Sequence, residues 1–275
     1  MNYITSLQTG GVLFAAMACL ALVEALIPLR ARNAWSRRHV LPNLALTFIT
    51  FASNLLLNIP ILIVLTWQQA HHLGLFNAAL LPTAAMLAGV LVLDLAWYVT
   101  HVTMHKVPAL WRFHAVHHSD PIVDVTTTIR QHPGESLIRY AFLATFAFGF
   151  GVPPAGFALY RLWSALHGLT EHANLRLPQW LDTAVAWVFS SPNMHKVHHS
   201  RDAALTDRNY GNILSLWDRF FGSFTPSVQG RAIVYGLDGF DADARQTTGG
   251  LLALPFRMPR SDTPSGEASF REAAE

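Results

Sequence analysis

The stretch Leu91-Val-Leu-Asp94-Leu-Ala-Trp97-Tyr98-Val-Thr-His101-Val-Thr-Met-His105 decides how the chain is read. An apolar segment of about residues 80–100 runs without a break into two histidines spaced i, i+4. Two further clusters follow: His114-Ala-Val-His117-His118 and His195-Lys-Val-His198-His199, both spaced i, i+3, i+4. On a helix those offsets put the imidazoles of a cluster on one face. Eleven of the fourteen histidines fall between His101 and His199. Neutral imidazole is a ligand for iron, zinc, copper and nickel. Apolar helices leading into histidine clusters predict a metal centre at a membrane surface.

Composition supports a lipid environment. The 275 residues are 52% hydrophobic and 13% charged, whereas soluble domains carry about 25% charged residues. A formal net charge of +2 gives no footing for nucleic-acid binding. The single cysteine, Cys19, excludes an internal disulfide framework and a cysteine-ligated iron–sulfur cluster. The N-terminus lacks the basic region of a cleavable signal peptide, so the first apolar segment reads as a retained span.

That segment, residues 11–29, is long enough to cross a bilayer and carries one ionisable residue, Glu24, read as packed near its end. The basic loop after it (Arg30, Arg32, Arg37, Arg38, His39) is placed in the cytoplasm by the positive-inside rule. Residues 41–66 form a second span, broken by Asn43, Asn54, Asn58 and Pro60. The segment about 80–100 forms a third, which brings His101 and His105 back to the cytoplasmic end. His71 and His72 then lie on the opposite side as solvated loop residues, and His39 reads the same way. Residues 138–168, interrupted by Gly149, Gly151, Pro153 and Pro154, suit a helical hairpin or a fourth span with a re-entrant turn. Residues 180–190 are too short to span and read as interfacial. The tail from about Leu251 reads as largely disordered. The expected fold is an all-α integral membrane bundle of about four spans or re-entrant helices, with a cytoplasmic-side histidine-rich helical cap. The expected divisions are 1–80 N-terminal membrane helices, 81–225 catalytic region and 226–275 partly disordered extension.

Eight clustered histidines (His101, His105, His114, His117, His118, His195, His198, His199) exceed what one tetrahedral or octahedral ion can use. Two metal ions are the natural reading, with His172 as a ninth ligand. His132 is balanced between ligand and supporting roles, and His167 reads as supporting or packed. Of the carboxylates, Asp94 lies seven residues before His101 on the same helix face, and is the first choice to accept a second imidazole N–H. Glu135, Glu171, Asp202 and Asp207 are further candidates, and Asn174 is a candidate to hold a metal-bound water. A proton-handling histidine surface is the bland alternative, but it leaves the repeated spacing unexplained. A histidine-rich membrane metal transporter or metal-binding protein is the other alternative. It should place its ligands near the bilayer midplane rather than at span ends.

Taken together, Asp94 to His105, Trp111-Arg-Phe-His114-Ala-Val-His117-His118-Ser and Arg130-Gln-His132-Pro133 form one part of a pattern. His172-Ala-Asn174-Leu-Arg-Leu-Pro178, Ser191-Pro-Asn-Met-His195-Lys-Val-His198-His199-Ser, Asn209-Tyr210-Gly211 and Trp217-Asp218-Arg219-Phe220-Phe221-Gly222 complete it. This set resembles the fatty acid hydroxylase superfamily, which includes the sterol desaturases, over roughly half of the chain. The resemblance implies a membrane oxidase with a histidine-ligated di-iron centre on the cytoplasmic side. Such an enzyme uses dioxygen and two electrons to hydroxylate or desaturate a C–H bond of a lipid such as a sterol, fatty acyl, carotenoid or ether lipid. An unactivated C–H bond offers nothing for a side chain to protonate or attack, so a redox metal must carry the step, and zinc has no redox chemistry. Zinc is still expected as a substitute in purified protein, given its place in the affinity order. No electron-transfer domain is visible, which implies a separate ferredoxin- or cytochrome-type donor. Glu171 stands where an i+4 histidine after His167 would be, a departure from the pattern.

Overall fold

A computed structural model describes residues 3–31, 37–240, 242 and 244–258, with side chains except at 3–7 and 37–38. The expected basic loop therefore falls partly outside the described residues at Arg32, and the side chains of Arg37 and Arg38 also lie outside them. Among the described residues there is no β-strand, only isolated bridges between Pro28 and Leu175 and between Phe189 and Leu214.

Among the described residues twelve α-helices follow one another. They are α1 (Tyr3–Leu26), α2 (Arg37–Ala70), α3 (Leu75–Ala79), α4 (Pro82–Lys106), α5 (Pro108–His118) and α6 (Pro133–Phe150), then α7 (Pro154–His172), α8 (Gln179–Val185), α9 (Pro192–His198), α10 (Ala203–Thr206), α11 (Leu216–Phe221) and α12 (Thr248–Arg257). Among the described residues three stretches are long and apolar enough to cross a membrane: Gln8–Leu26, His39–Ala79 and Pro82–Lys106. They leave large apolar side chains such as Leu22, Leu26, Leu56 and Ile63 exposed, as lipid-facing helices do.

Proline sets five of the helix starts. Pro82, Pro108, Pro133, Pro154 and Pro192 each occupy the first turn, where the missing N–H is no loss and the fixed φ fits the helix. Pro108 also explains why α4 stops at Lys106: Val107 before it is held extended. The 138–168 break resolves as a helical hairpin. Its α6 ends on Gly151 in the left-handed conformation, and α7 starts two prolines later. At that turn Gly151 meets Gly74, whose φ is also positive, so closely that a Cβ on either would strike the other's backbone. The turn after α2 is thereby locked to the hairpin tip.

The main core lies where α4 packs on α6 and α7. Leu93, Ala96, Leu143, Ala147, Phe157 and Tyr160 fill it, with Leu65 from α2. A fully buried leucine of this kind stabilises by roughly 1.5–3 kcal/mol over leaving it in water. That reference weakens on a lipid-facing surface, where apolar contact is not lost on exposure. A second cluster joins Leu46, Trp111 and Ala115 to Leu251, Leu254 and Met258. This corrects the expected disorder from Leu251: Thr247 caps α12 by accepting from Gly250 N, and α12 seals the outer side of α5. The periodicity was hidden by the brevity of the helix and by Pro255. Residues 259–275 lie outside the described residues.

Candidate metal centre

Four helices deliver nine buried histidines to one place. His101 and His105 end α4; His114, His117 and His118 end α5; His172 ends α7; His195 and His198 lie on α9, with His199 at its C-cap. They form two groups: His101, His105, His114, His118 and His198 in one, and His117, His172, His195 and His199 in the other. The ligand atoms of each group lie within 4.8 Å of one another. The spacing is used in a reciprocal way. In each cluster the i, i+4 pair stays together, while the i+3 ring of α5 (His117) and of α9 (His198) crosses to the group held mainly by the other helix.

The rings are oriented by backbone carbonyls. His101 Nδ1 lies 2.8 Å from Tyr210 O, His172 Nδ1 2.8 Å from Gly168 O, and His198 Nδ1 2.8 Å from Arg208 O. A carbonyl only accepts, so these Nδ1 atoms carry the proton and each Nε2 presents a lone pair inward. His105 Nδ1 faces Asp207 Oδ1 at 3.3 Å. Inside, His172 Nε2 lies 3.0 Å from His117 Nε2, 3.0 Å from His195 Nε2 and 3.1 Å from His199 Nε2. One lone pair cannot satisfy three such neighbours, whereas a shared cation satisfies all four. In the other group His101 and His118 Nε2 lie 3.0 and 3.2 Å from His114 Nε2, and the Nε2 atoms of His105 and His198 have no hydrogen-bond partner. The donor set fits two metal ions.

Burial favours the neutral form of five of these rings. It is the largest cause holding His117, His118, His195 and His199 well below the ordinary imidazole range, reinforced by neighbouring rings that resist a second positive charge. His198 is pushed down to about 3, again chiefly by burial. Neutral imidazole is the form that binds metal.

The remaining candidates separate. Glu135 Oε1 lies 3.2 Å from His114 Nδ1, and Glu171 Oε1 lies 3.9 Å from both His172 Nδ1 and His195 Nε2, so both carboxylates border the groups. Asp94 does not face a histidine, which corrects the first choice made for it. Its oxygens accept from Ile213 N, Leu214 N and Trp217 Nε1. It holds the loop whose Tyr210 carbonyl orients His101, so it supports the ring indirectly. Asn174 is also corrected: it brackets Arg30, accepting from Arg30 N and donating to Arg30 O, while its own N–H donates to Glu24. His132 lies outside both groups and caps α6, its Nδ1 accepting from Gly134 N. His167 is tied to Ser190 O. Asp202 caps α10. His71 and His72 are exposed beyond the far end of α2. His39 is not solvated: its ring nitrogens sit 3.2 Å from Asp120 Oδ1 and 2.9 Å from Asp124 Oδ2.

A fatty acid hydroxylase family model matches residues 86–223, half of the chain. The chain belongs to the fatty acid hydroxylase family. All nine histidines of the two groups fall inside the matched region. Alkylglycerol monooxygenase of Danio rerio is 30% identical over 172 residues, covering 62% of this chain and 36% of that protein. The human alkylglycerol monooxygenase is 31% identical over 150 residues, covering 52% of this chain and 31% of that protein. The ornithine lipid hydroxylase OlsE of Rhizobium tropici is 28% identical over 223 residues, covering 78% of this chain and 66% of that protein. The chain thus spans about a third of the length of the alkylglycerol monooxygenases it matches. No solved structure matches it.

Sequence reasoning about this fatty acid hydroxylase family member picked out Tyr210 within Asn209-Tyr210-Gly211 but not the role of its carbonyl, and it missed Arg208 and Gly168, because backbone carbonyls act through position and leave no residue-type signal. It also missed Arg139 and Arg161. Both line the cavity of about 70 Å³ that His101, His114, His117, His172 and His195 border. Their signal was available: each is the single arginine of its helix in the 138–168 apolar hairpin, where an ionisable residue is a site candidate by default.

Proposed function

We propose that the chain is a membrane-bound, non-haem di-iron oxidoreductase that uses dioxygen and two electrons to hydroxylate or desaturate a lipid C–H bond. The observation that carries this reading is the convergence of nine buried histidines into groups of five and four, the ligand atoms of each group lying within 4.8 Å of one another. His101, His105, His114, His118 and His198 would hold one iron; His117, His172, His195 and His199 would hold the other. Bound there, the metals supply the one- and two-electron chemistry with dioxygen that no side chain possesses. For hydroxylation, R–H, O₂, two electrons and two protons give R–OH and water; the electrons come from a separate ferredoxin- or cytochrome-type donor.

The protein's own part is positional. Carbonyls of Tyr210, Gly168 and Arg208 fix ring tautomers, and carboxyl oxygens of Glu135 and Glu171 border the groups. The apolar spans exclude water and admit the lipid. By the charge bias of the loop after α1, the histidines face the cytoplasm. Residues 81–225 form the catalytic region, flanked by membrane helices 1–80 and an extension 226–275. The similarity to alkylglycerol monooxygenases and to an ornithine lipid hydroxylase supports a polar lipid as substrate.

The test is metal analysis of anaerobically purified protein together with lipid profiling of cells carrying the gene, its His117→Ala variant or neither. The reading expects about two irons per chain and a lipid species gaining one oxygen or losing two hydrogens only with the wild-type gene. Identical lipid profiles in all three, with metal-free folded protein, overturn it.

A further inference from the structure

A second cavity, of about 360 Å³, adjoins the histidine cavity. Phe51, Leu55 and Leu62 of α2 and Phe157 and Leu162 of α7 give it apolar walls, and Thr9 of α1 borders it. Asn54 and Arg161 line both cavities, so they form the neck between them. One face of α7 runs the whole way: Phe157 and Arg161 at the apolar cavity, then Arg161, Ser164, Gly168 and His172 at the histidine cavity. These positions recur at helical spacing. From Arg161 to His172 the axis climbs about 16 Å.

The two cavities differ in chemistry. The larger is an apolar slot beside the membrane spans. The smaller is lined by Gln131, Glu135, Arg139, Ser164, Glu171 and Asn212 as well as the histidines. Several of its polar atoms have no protein partner: Asn54 Oδ1, Glu135 Oε2, Arg139 Nε, Arg161 Nε and Glu171 Oε2. A hydrocarbon end pushed among them would leave buried polar groups unsatisfied, which is costly. A polar end would satisfy them: its oxyanion accepts from Arg161 Nε and Arg139 Nε, and a hydroxyl or N–H on the same polar end donates to the amide and carboxyl oxygens. Charge points the same way. Arg139 is paired with Glu135 at 3.5 Å, whereas Arg161 makes no ion pair among the described residues and rests over the Tyr140 ring at 4.9 Å. A half-buried guanidinium at the mouth of an apolar slot suits an oxyanion.

We propose that the lipid substrate enters polar end first, its chain lying in the apolar slot and its oxyanion-bearing polar end held at the neck by Arg161 and Asn54, so that oxidation falls on a carbon near the polar end. This rests on the proposed lipid-oxidising function and assigns the orientation and head chemistry of its substrate. Carboxylate and phosphate heads share the required chemistry. Asn54 and Arg161 are positioning residues.

The test has a binding arm that needs no turnover. Full-length protein in detergent is titrated with radiolabelled palmitate, hexadecyl phosphate and 1-hexadecanol. One or both anionic probes should bind at least tenfold tighter than the alcohol, and the preferred anion names the head. Arg161→Gln should lower anionic affinity about tenfold with little change for the alcohol, Arg161→Lys should restore part of it, and Phe157→Trp, which fills the slot, should weaken all three. If Arg161→Gln does not fold, Asn54→Asp serves instead and should weaken the anions selectively. Equal affinities for anions and alcohol in the wild type overturn the proposal. In the second arm, the position of added oxygen in lipids from expressing cells is read by fragmentation. Oxidation within about four carbons of the polar end supports the inference; oxidation at mid-chain or at the methyl end overturns it. Absence of any oxidised lipid would strike the proposed function instead, and the binding arm would still decide the orientation.

Discussion

His101 Nδ1 donates to the carbonyl oxygen of Tyr210 at 2.8 Å, across 109 residues of sequence. That bond makes the Asn209-Tyr210-Gly211 turn part of the metal centre without contributing a ligand. The turn is held from two sides by carboxylates: Asp218 accepts from Tyr210 N and Gly211 N, and Asp94 accepts from Ile213 N, Leu214 N and Trp217 Nε1. Gly211 is required there, since a Cβ would lie 2.5 Å from Leu214 O. Burial raises Asp218 to about 6, with its three hydrogen bonds pulling the other way, so its role depends on those donors being in place.

Asp94→Ala should therefore act at a distance. It leaves buried donors unsatisfied at about 1–3 kcal/mol each, which predicts lower thermal stability and reduced retention of metal during purification. Asp94→Asn keeps one acceptor and should fall between. Thermal unfolding and metal content per chain are the measurements. Unchanged metal retention in Asp94→Ala would show that the turn does not support His101.

The tip of the α6–α7 hairpin offers a second test. Gly151 has φ +67, and a Cβ there would lie 2.6 Å from Leu73 O and 2.7 Å from Gly74 Cα. Gly151→Ala should destabilise by about 1–2 kcal/mol from the left-handed backbone alone, and more from the clash. Gly149→Ala, which meets nothing within 4 Å, should be neutral or slightly stabilising, since it lies within a helix. Thermal unfolding of the pair should separate them, with the histidine groups at the other end of the hairpin keeping their metal.

The buried cluster beneath α2 should behave as one unit. Asp120 accepts from Asn43 and Thr127 and faces His39, and Arg130 donates to Asn43 Oδ1, Ser119 Oγ and Gln246 Oε1. Burial would raise the Asp120 carboxyl; Arg130 and His39 beside it reverse this and hold it below the usual carboxylate range. Asp120→Ala leaves a buried guanidinium short of its counter-charge, a class of change that costs about 3–5 kcal/mol. His39→Ala should couple with it: the double variant should lose less than the two single losses added together, as expected for residues in one network.

The fold was legible where one signal acted alone. The first three apolar stretches and the break at Gly151–Pro154 could be read from hydropathy and helix-breaking residues. Convergence of the histidines was readable from spacing, because i, i+3 and i+4 share a helix face. Their division was not readable: which ring of an i+3 pair crosses to the neighbouring group depends on how α5 and α9 pack. Asp94 shows the same limit. An unpaired carboxylate in an apolar helix announced a buried partner, but the partner lay 119 residues away in a backbone N–H of Ile213. His39 looked solvated because its partners Asp120 and Asp124 are distant in sequence. The α12 helix was hidden by its shortness and by Pro255.

The division of the histidines gives the sharpest expectation about the metals. His118 belongs to the five-ring group and His199 to the four-ring group, although their rings are stacked with centroids 4.5 Å apart. Alanine at His118 should weaken one ion and alanine at His199 the other, so each variant should fall from about two irons per chain toward about one and lose turnover. Two substitutions within one group, such as His195→Ala with His199→Ala, should leave close to one iron. One substitution in each group should leave close to none. Alanine at His71 or His72, exposed at the far end of α2, should leave metal content and turnover unchanged. If His117→Ala or His198→Ala kept wild-type metal content and turnover, the crossing of those two rings between the groups would have no bearing on the centre, and its assignment to these nine residues would fail.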